Sequence, residues 1–193
     1  MIKYLKEFDK YVAIAGFRNV KIDNVENFLE DVKKHAGRNV EAQFLDAELV
    51  ATWQHLYFAV LNALTAFRNS ENVSKSLALE TLLYASAQRQ IRKAMQFLGV
   101  KKESEKIALV VIGEKADETE KALTSISKVV NGQRDDTVLE LCREKIAAIK
   151  KAFDISDFEL EAVAKKDNLE EAITDIVVER VALSATTKKT LGF

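Results

Sequence analysis

The run Lys106-Ile107-Ala108-Leu109-Val110-Val111-Ile112 limits the fold of this chain more than any other segment. Its unbroken apolar character, rich in β-branched residues, reads as a strand covered on both faces. Such a strand lies inside a sheet, with other elements packed above and below it. Two more strands are expected. Tyr11-Val12-Ala13-Ile14-Ala15-Gly16-Phe17 is short and β-branched, and Val40 to Leu45 alternates, with Val40, Ala42 and Phe44 on one side. Thr137 to Leu141 is a further short strand candidate. Between the second strand and Lys106 the pattern turns helical three times, at Glu48–Phe67, Leu77–Ala85 and Gln88–Leu98. Three helices in a row disfavour a doubly wound sheet. The expected class is α+β (mixed), a small β-sheet packed with a predominantly helical domain. The remaining helices are Asp23–His35, with Gly37 past its end, Asp117–Val130, Arg143–Phe153, Asp157–Lys165 and Asn168–Ala185, about eight in all. The chain contains no proline, so nothing of that kind interrupts them. Residues 1–193 are expected to form a single domain, with 186–193 as a frayed tail.

Composition narrows the function. The net charge of −1 makes no global case for nucleic acid, but its distribution does. From Arg68 to Lys102 seven basic residues meet two acidic ones, a local +5 against −6 elsewhere. Cys142 is the sole cysteine, which excludes an intramolecular disulfide and favours a reducing, cytoplasmic setting. Leu49 to Phe67 is broken by Thr52, Gln54, His55, Asn62 and Thr65 and reads as a buried core helix, so no membrane is expected as a partner. The apolar run near the start is too short for a signal peptide.

No catalytic constellation stands out. His35 and His55 lack metal-ligand spacing, Cys142 reads as a lone buried thiol, and no phosphate loop or nucleophile elbow is present. No catalytic residue, metal or cofactor is therefore expected. His55 and Tyr84 read as core side chains, and Asp135-Asp136 as a solvated or capping pair.

The informative stretch is Ser74 to Val100. It reads as two helices with a polar, basic junction. In the second, Ile91, Ala94, Met95 and Leu98 form an apolar stripe, and Arg89, Arg92, Lys93 and Gln96 fall opposite. Gly99 stands where a left-handed C-cap belongs, and Ser86 where an N-cap would. An exposed helix N-terminus beside Arg89 and Arg92 is suited to an anion.

The same residues resemble a known family, the small regulatory subunits of the KEOPS/EKC complex. Ser74-Lys75-Ser76-Leu77 with Glu80, then Tyr84, Ser86, Arg89-Gln90-Ile91, Ala94 and Gly99, follow its pattern. So do Gln43 to Ala47, His55-Leu56, Phe58-Ala59 and the closing Glu179-Arg180-Val181-Ala182-Leu183. One position departs: the family's glycine after the serine is Ala87 here, and a left-handed backbone there would cost roughly 1–2 kcal/mol. The resemblance implies a non-enzymatic adaptor for threonylcarbamoyl modification of tRNA adenosine 37. It implies binding to an atypical small kinase/ATPase, indirect association with the t6A synthase subunit, and contact with the single-stranded 3′ CCA end of tRNA. The implied RNA-binding residues are Lys75, Ser86, Gln88, Arg89, Arg92 and Lys93.

The final helix, about 168–185, carries a broad apolar arc that includes Leu169, Ala172 and Leu183, with Arg180 inside it and Val178 opposite. It reads either as a wide core stripe with Arg180 reaching outward, or as a docking surface. The resemblance favours docking of the kinase by Ile173, Ile176, Val177, Arg180 and Val181. The alternatives are a protein–protein interaction module without RNA binding, and a small-metabolite enzyme with an unrecognised site.

Overall fold

The computed structural model describes residues 2–164 and 168–186, with side chains described as far as Ser184. Strands β1 (Ile2–Leu5), β2 (Lys10–Arg18), β3 (Val40–Asp46) and β4 (Ile107–Gly113) form an antiparallel sheet in the order β1-β2-β4-β3. Two-residue β5 (Gln133–Arg134) pairs with Phe17 and Arg18 of β2. The central strand is β4, with Val12 opposite Ile112 on one side and Phe44 opposite Leu109 on the other. Every residue of β4 is buried, as its sequence requires. Ile107, Leu109 and Val111 point into one core, and Ala108, Val110 and Ile112 into another.

Helices α1 (Val25–Ala36) and α5 (Ala116–Val129) cover the first face. The second is covered mainly by α2 (Trp53–Arg68) and α3 (Leu77–Ala85), and α4 (Ile91–Leu98) follows α3. A third cluster joins α6 (Arg143–Ala152), α7 (Asp157–Val163) and α8 (Leu169–Thr186), and α8 packs extensively on α2. With eight helices among the described residues, the fold is the α+β class expected.

Local chemistry sets the element ends. Asn24 caps α1 by accepting from the Asn27 N–H, and Ser156 and Glu159 form a reciprocal capping box on α7. Three helices close on left-handed residues that are not glycine, namely Ser70, Ala87 and Asp154, with φ of 57°, 50° and 52°. Each is followed by an N–H that reaches back over the last turn: Glu71 to Ala66 O, Gln88 to Leu83 O and Ile155 to Lys150 O.

Several expectations are corrected. Thr137–Leu141 is not a strand. Asp136–Leu139 makes a 3-10 turn because the Asp135 carboxylate takes the Thr137 N–H, an alternative to ladder pairing. This turn packs so tightly on β2 that a Cβ on Gly16 would lie 2.4 Å from Val138 Cγ2. Helix α2 starts at Trp53, since Asp46 caps a 3-10 turn at Ala47–Leu49 and the chain then runs extended. Gly99 is extended (φ −67°, ψ 152°), not left-handed, and bridges to Leu45 of β3. Cys142 is exposed, because it precedes α6 at the surface. Strand β1, unforeseen, forms by folding back on β2 through Asp9 at φ 50°. The expected ends at Lys165 and beyond Thr186 lie outside the described residues.

Candidate functional site

The α3–α4 junction is built from the end of α3 outward. Helix α3 is apolar nearly all round, and all but one of its residues are buried. Its first turn is anchored from a distant strand. Glu41 of β3 accepts from the Ser76 hydroxyl and the Ala78 N–H, both at 2.7 Å, while Ser76 accepts from the Leu79 N–H. A carboxylate at that position also satisfies the helix dipole. The preceding loop is held by Glu80, 1% exposed, whose carboxylate takes the N–H groups of Val73 and Ser74. This explains the serine-rich segment ending in Glu80: it is a loop clamp, and it leaves Lys75 exposed.

At the other end, Ser86 is the C-cap of α3, not the N-cap of α4. It is buried, and its hydroxyl donates to Leu83 O. Of the residues assigned to RNA contact it is the one enclosed by the chain. The left-handed Ala87 follows and turns the backbone sharply. Gln90 is the N-cap of α4 but supplies no side-chain bond, so the first-turn N–H groups have no capping side chain. Arg89, Arg92 and Lys93 are exposed around that end, and none forms an ion pair among the described residues. Ala94 and Leu98 are buried, which fixes the orientation of the basic face, whereas Met95 at the edge of the stripe is exposed. Gln88 and Arg89 also line a shallow groove with Val73, Leu83, Tyr84 and Ser184. Lys75, Gln88, Arg89, Arg92 and Lys93 thus border α3, at both of its ends.

The C-terminal helix differs from expectation. Ile173, Ile176, Val177 and Val181 are no more than 2% exposed, so the chain itself covers them. The α2 and α6–α7 elements use the whole inner arc, which is why it is so wide. Surface for a partner on this helix is confined to Arg180 and the outer positions. Arg180 reaches across to α7 and pairs with Glu159, the same carboxylate that closes the capping box. Both partners lie near one-third exposure. The serine N–H and the guanidinium hold the Glu159 carboxyl below its usual range.

His55 links the end of α3 to the end of α6. It is fully buried on α2, as its position in a core helix suggested. Nδ1 accepts from the Ala51 N–H and Nε2 donates to Ala85 O at the end of α3. Its ring meets Phe153 edge-on, and Phe153 meets Phe97 of α4 in the same way. Burial lowers the His55 pKa to about 4.

Sequence reasoning missed Glu41, whose partners lie 35 and 37 residues away, so no local signal exists. It also missed Phe158, which is 80% exposed on α7 and follows directly on the capping serine and Asp157. Among the described residues no three His, Cys, Asp or Glu side chains converge as metal ligands, and no helix is long and apolar enough to cross a membrane.

The chain is similar to known proteins over most of its length. Regulatory protein Cgi121 of Methanocaldococcus jannaschii is 31% identical over 147 residues, which are 76% of this chain and 87% of that protein. The EKC/KEOPS complex subunit CGI121 of Candida glabrata is 28% identical over 125 residues, 65% of this chain and 66% of that protein. The family model described as kinase binding protein CGI-121 matches residues 17–185, from the end of β2 to the last turn of α8, and the chain therefore belongs to the CGI-121 family.

Proposed function

We propose that this chain is a non-enzymatic regulatory subunit of a KEOPS complex. It binds the small atypical kinase/ATPase and the single-stranded 3′ CCA end of tRNA in threonylcarbamoyladenosine (t6A) biosynthesis. The kinase role rests on the family description and on the names of the two relatives. The RNA role rests on one observation, the exposed Arg89, Arg92 and Lys93, without ion pairs among the described residues, around a helix N-terminus that no side chain caps. A single-stranded end offers phosphates to such groups, and its unstacked bases offer flat faces to neighbouring side chains. Lys75 and Gln88 extend the same surface. An adaptor needs surfaces rather than titrating nucleophiles. The single cysteine suits the reducing cytoplasm.

The test is filter binding of intact tRNA against tRNA trimmed of its 3′ CCA. Weaker binding of the trimmed form supports the reading. Equal binding returns the basic face to ordinary surface and favours a protein–protein module without RNA contact. Modification of tRNA by the isolated chain would refute the adaptor role.

A further inference from the structure

A cavity of about 280 Å³ opens at the end of the sheet where β2 begins and β4 stops. Ile112 of β4 and Leu77, the first residue of α3, give it apolar walls. On the last rung of the ladder Gly113 faces Tyr11 of β2 on one side and Val40 of β3 on the other. One step further out, Lys10 and Asn39 therefore flank Glu114, and Lys10 bonds to its carboxylate at 2.7 Å. Two cations and two carboxylates line the space, Lys10 and Arg38 with Glu41 and Glu114, beside the Asn39 amide. Glu41 is held still, because its Oε2 accepts from both the Ser76 hydroxyl and the Ala78 N–H. Its Oε1 accepts no hydrogen bond among the described residues. Arg38 is exposed and forms no ion pair among the described residues. The bond from Lys10 holds the Glu114 carboxyl below its usual range, so it stays charged at neutral pH.

We propose that this cavity binds a small zwitterion of the free α-amino-acid kind, its carboxylate on Arg38 and the Asn39 amide and its ammonium on Glu41 and Glu114. The charge pattern selects that class. A lone anion would meet two carboxylates, and a lone cation would meet Lys10 and Arg38. A molecule carrying both charges matches both sets of groups. The volume is smaller than that of cavities that enclose drug-sized ligands, and it suits a molecule of amino-acid size. The two fixed bonds to Glu41 pre-set one side of the site, so little order has to be gained on binding. Leu77 and Ile112 offer apolar contact to a side chain. The site is independent of the kinase and RNA readings above.

Titration calorimetry of the full chain with each free proteinogenic amino acid tests the proposal. At least one is expected to bind with a Kd below about 1 mM. The N-acetyl and the carboxamide forms of that amino acid, each lacking one charge, are expected to bind roughly ten- to a hundredfold more weakly. Arg38→Gln is expected to weaken the free amino acid by a similar factor with the melting temperature of the empty chain unchanged, since Arg38 is exposed and lies outside the α3 cap. Glu114→Gln is expected to weaken the free amino acid and to leave the N-acetyl form, which has no ammonium, unaffected. No heat from any amino acid at about 10 mM overturns the site. Binding that Arg38→Gln leaves unchanged overturns this placement. Inorganic phosphate that binds as tightly as the amino acid, and competes with it, makes this an anion site and overturns the zwitterion assignment.

Discussion

The α3–α4 junction and the α7–α8 surface are opposite in charge, and they differ in how their exposed residues are held. At the junction the cations make no ion pair among the described residues, and the scaffold beneath them is locked by two carboxylates, Glu41 and Glu80, that bind backbone N–H groups. On α7–α8 most acids lie outward, Asp157 pairs with Lys150 of α6, and Arg180, the one cation of these two helices among the described residues, is engaged by Glu159. If the proposed function holds, a phosphate would be drawn to the first surface and repelled by the second. Both surfaces depend on interior packing, so a test must distinguish a weakened interface from an unfolded chain.

The largest expected effect breaks the view that the apolar arc of α8 is free for docking. Ile176→Glu or Val177→Glu should cost several kcal/mol, enough to unfold a marginal domain, because a carboxylate would be buried without a partner. Thermal melting by circular dichroism checks this. A variant that melts like wild type would return these residues to the interface.

Next, Arg89→Glu with Arg92→Glu should abolish tRNA binding while kinase affinity and melting temperature hold. The log–log salt slope should fall by about 0.7 for each single-strand phosphate that the protein no longer neutralises. Equal tRNA affinity in the variant would remove the basic surface from the comparison.

A third measurement asks whether the α3 end and the C-terminal helical cluster melt together, since His55 bonds to Ala85 O and its ring meets Phe153 at the end of α6. Its folded pKa, about 4, lies below the ordinary 6.5, so the unfolded chain takes up the proton first as pH falls. The stability from neutral, buried His55 is complete above pH 6.5 and is lost as pH falls toward 4, up to about 3 kcal/mol. Protonation would also take the acceptor from the Ala51 N–H. Denaturant midpoints across this window, in wild type and His55→Gln, should show the steep dependence in wild type alone. If far-ultraviolet and aromatic signals move apart in acid, the regions are separate cooperative units.

The smallest effect concerns the turn under the basic face. Ala87→Gly should stabilise by roughly 0.5–1 kcal/mol, because relief of the left-handed strain slightly exceeds the entropy of glycine in the unfolded chain. A destabilised variant would mean that the Ala87 methyl group packs favourably enough to outweigh its strain.

Features that depend on neighbours along the chain are legible in the sequence by itself. The two-sided burial of β4, the bounds of α3, the orientation of the α4 basic face and the core role of His55 all follow from periodicity and flanking residues. The junction is readable for the same reason, since exposed cations opposite an apolar stripe face solvent in any packing. Features that depend on distant segments are not. Glu41 caps α3 from another strand, and β1 forms only because β2 is there to pair with it. Ser86, a good N-cap by local pattern, becomes a C-cap once α3 closes on Ala87. On α8 a helical wheel defines the width of the apolar arc but not what covers it. The packing of α2, α6 and α7 decides that, because burial is a property of the assembled surface and not of the residue.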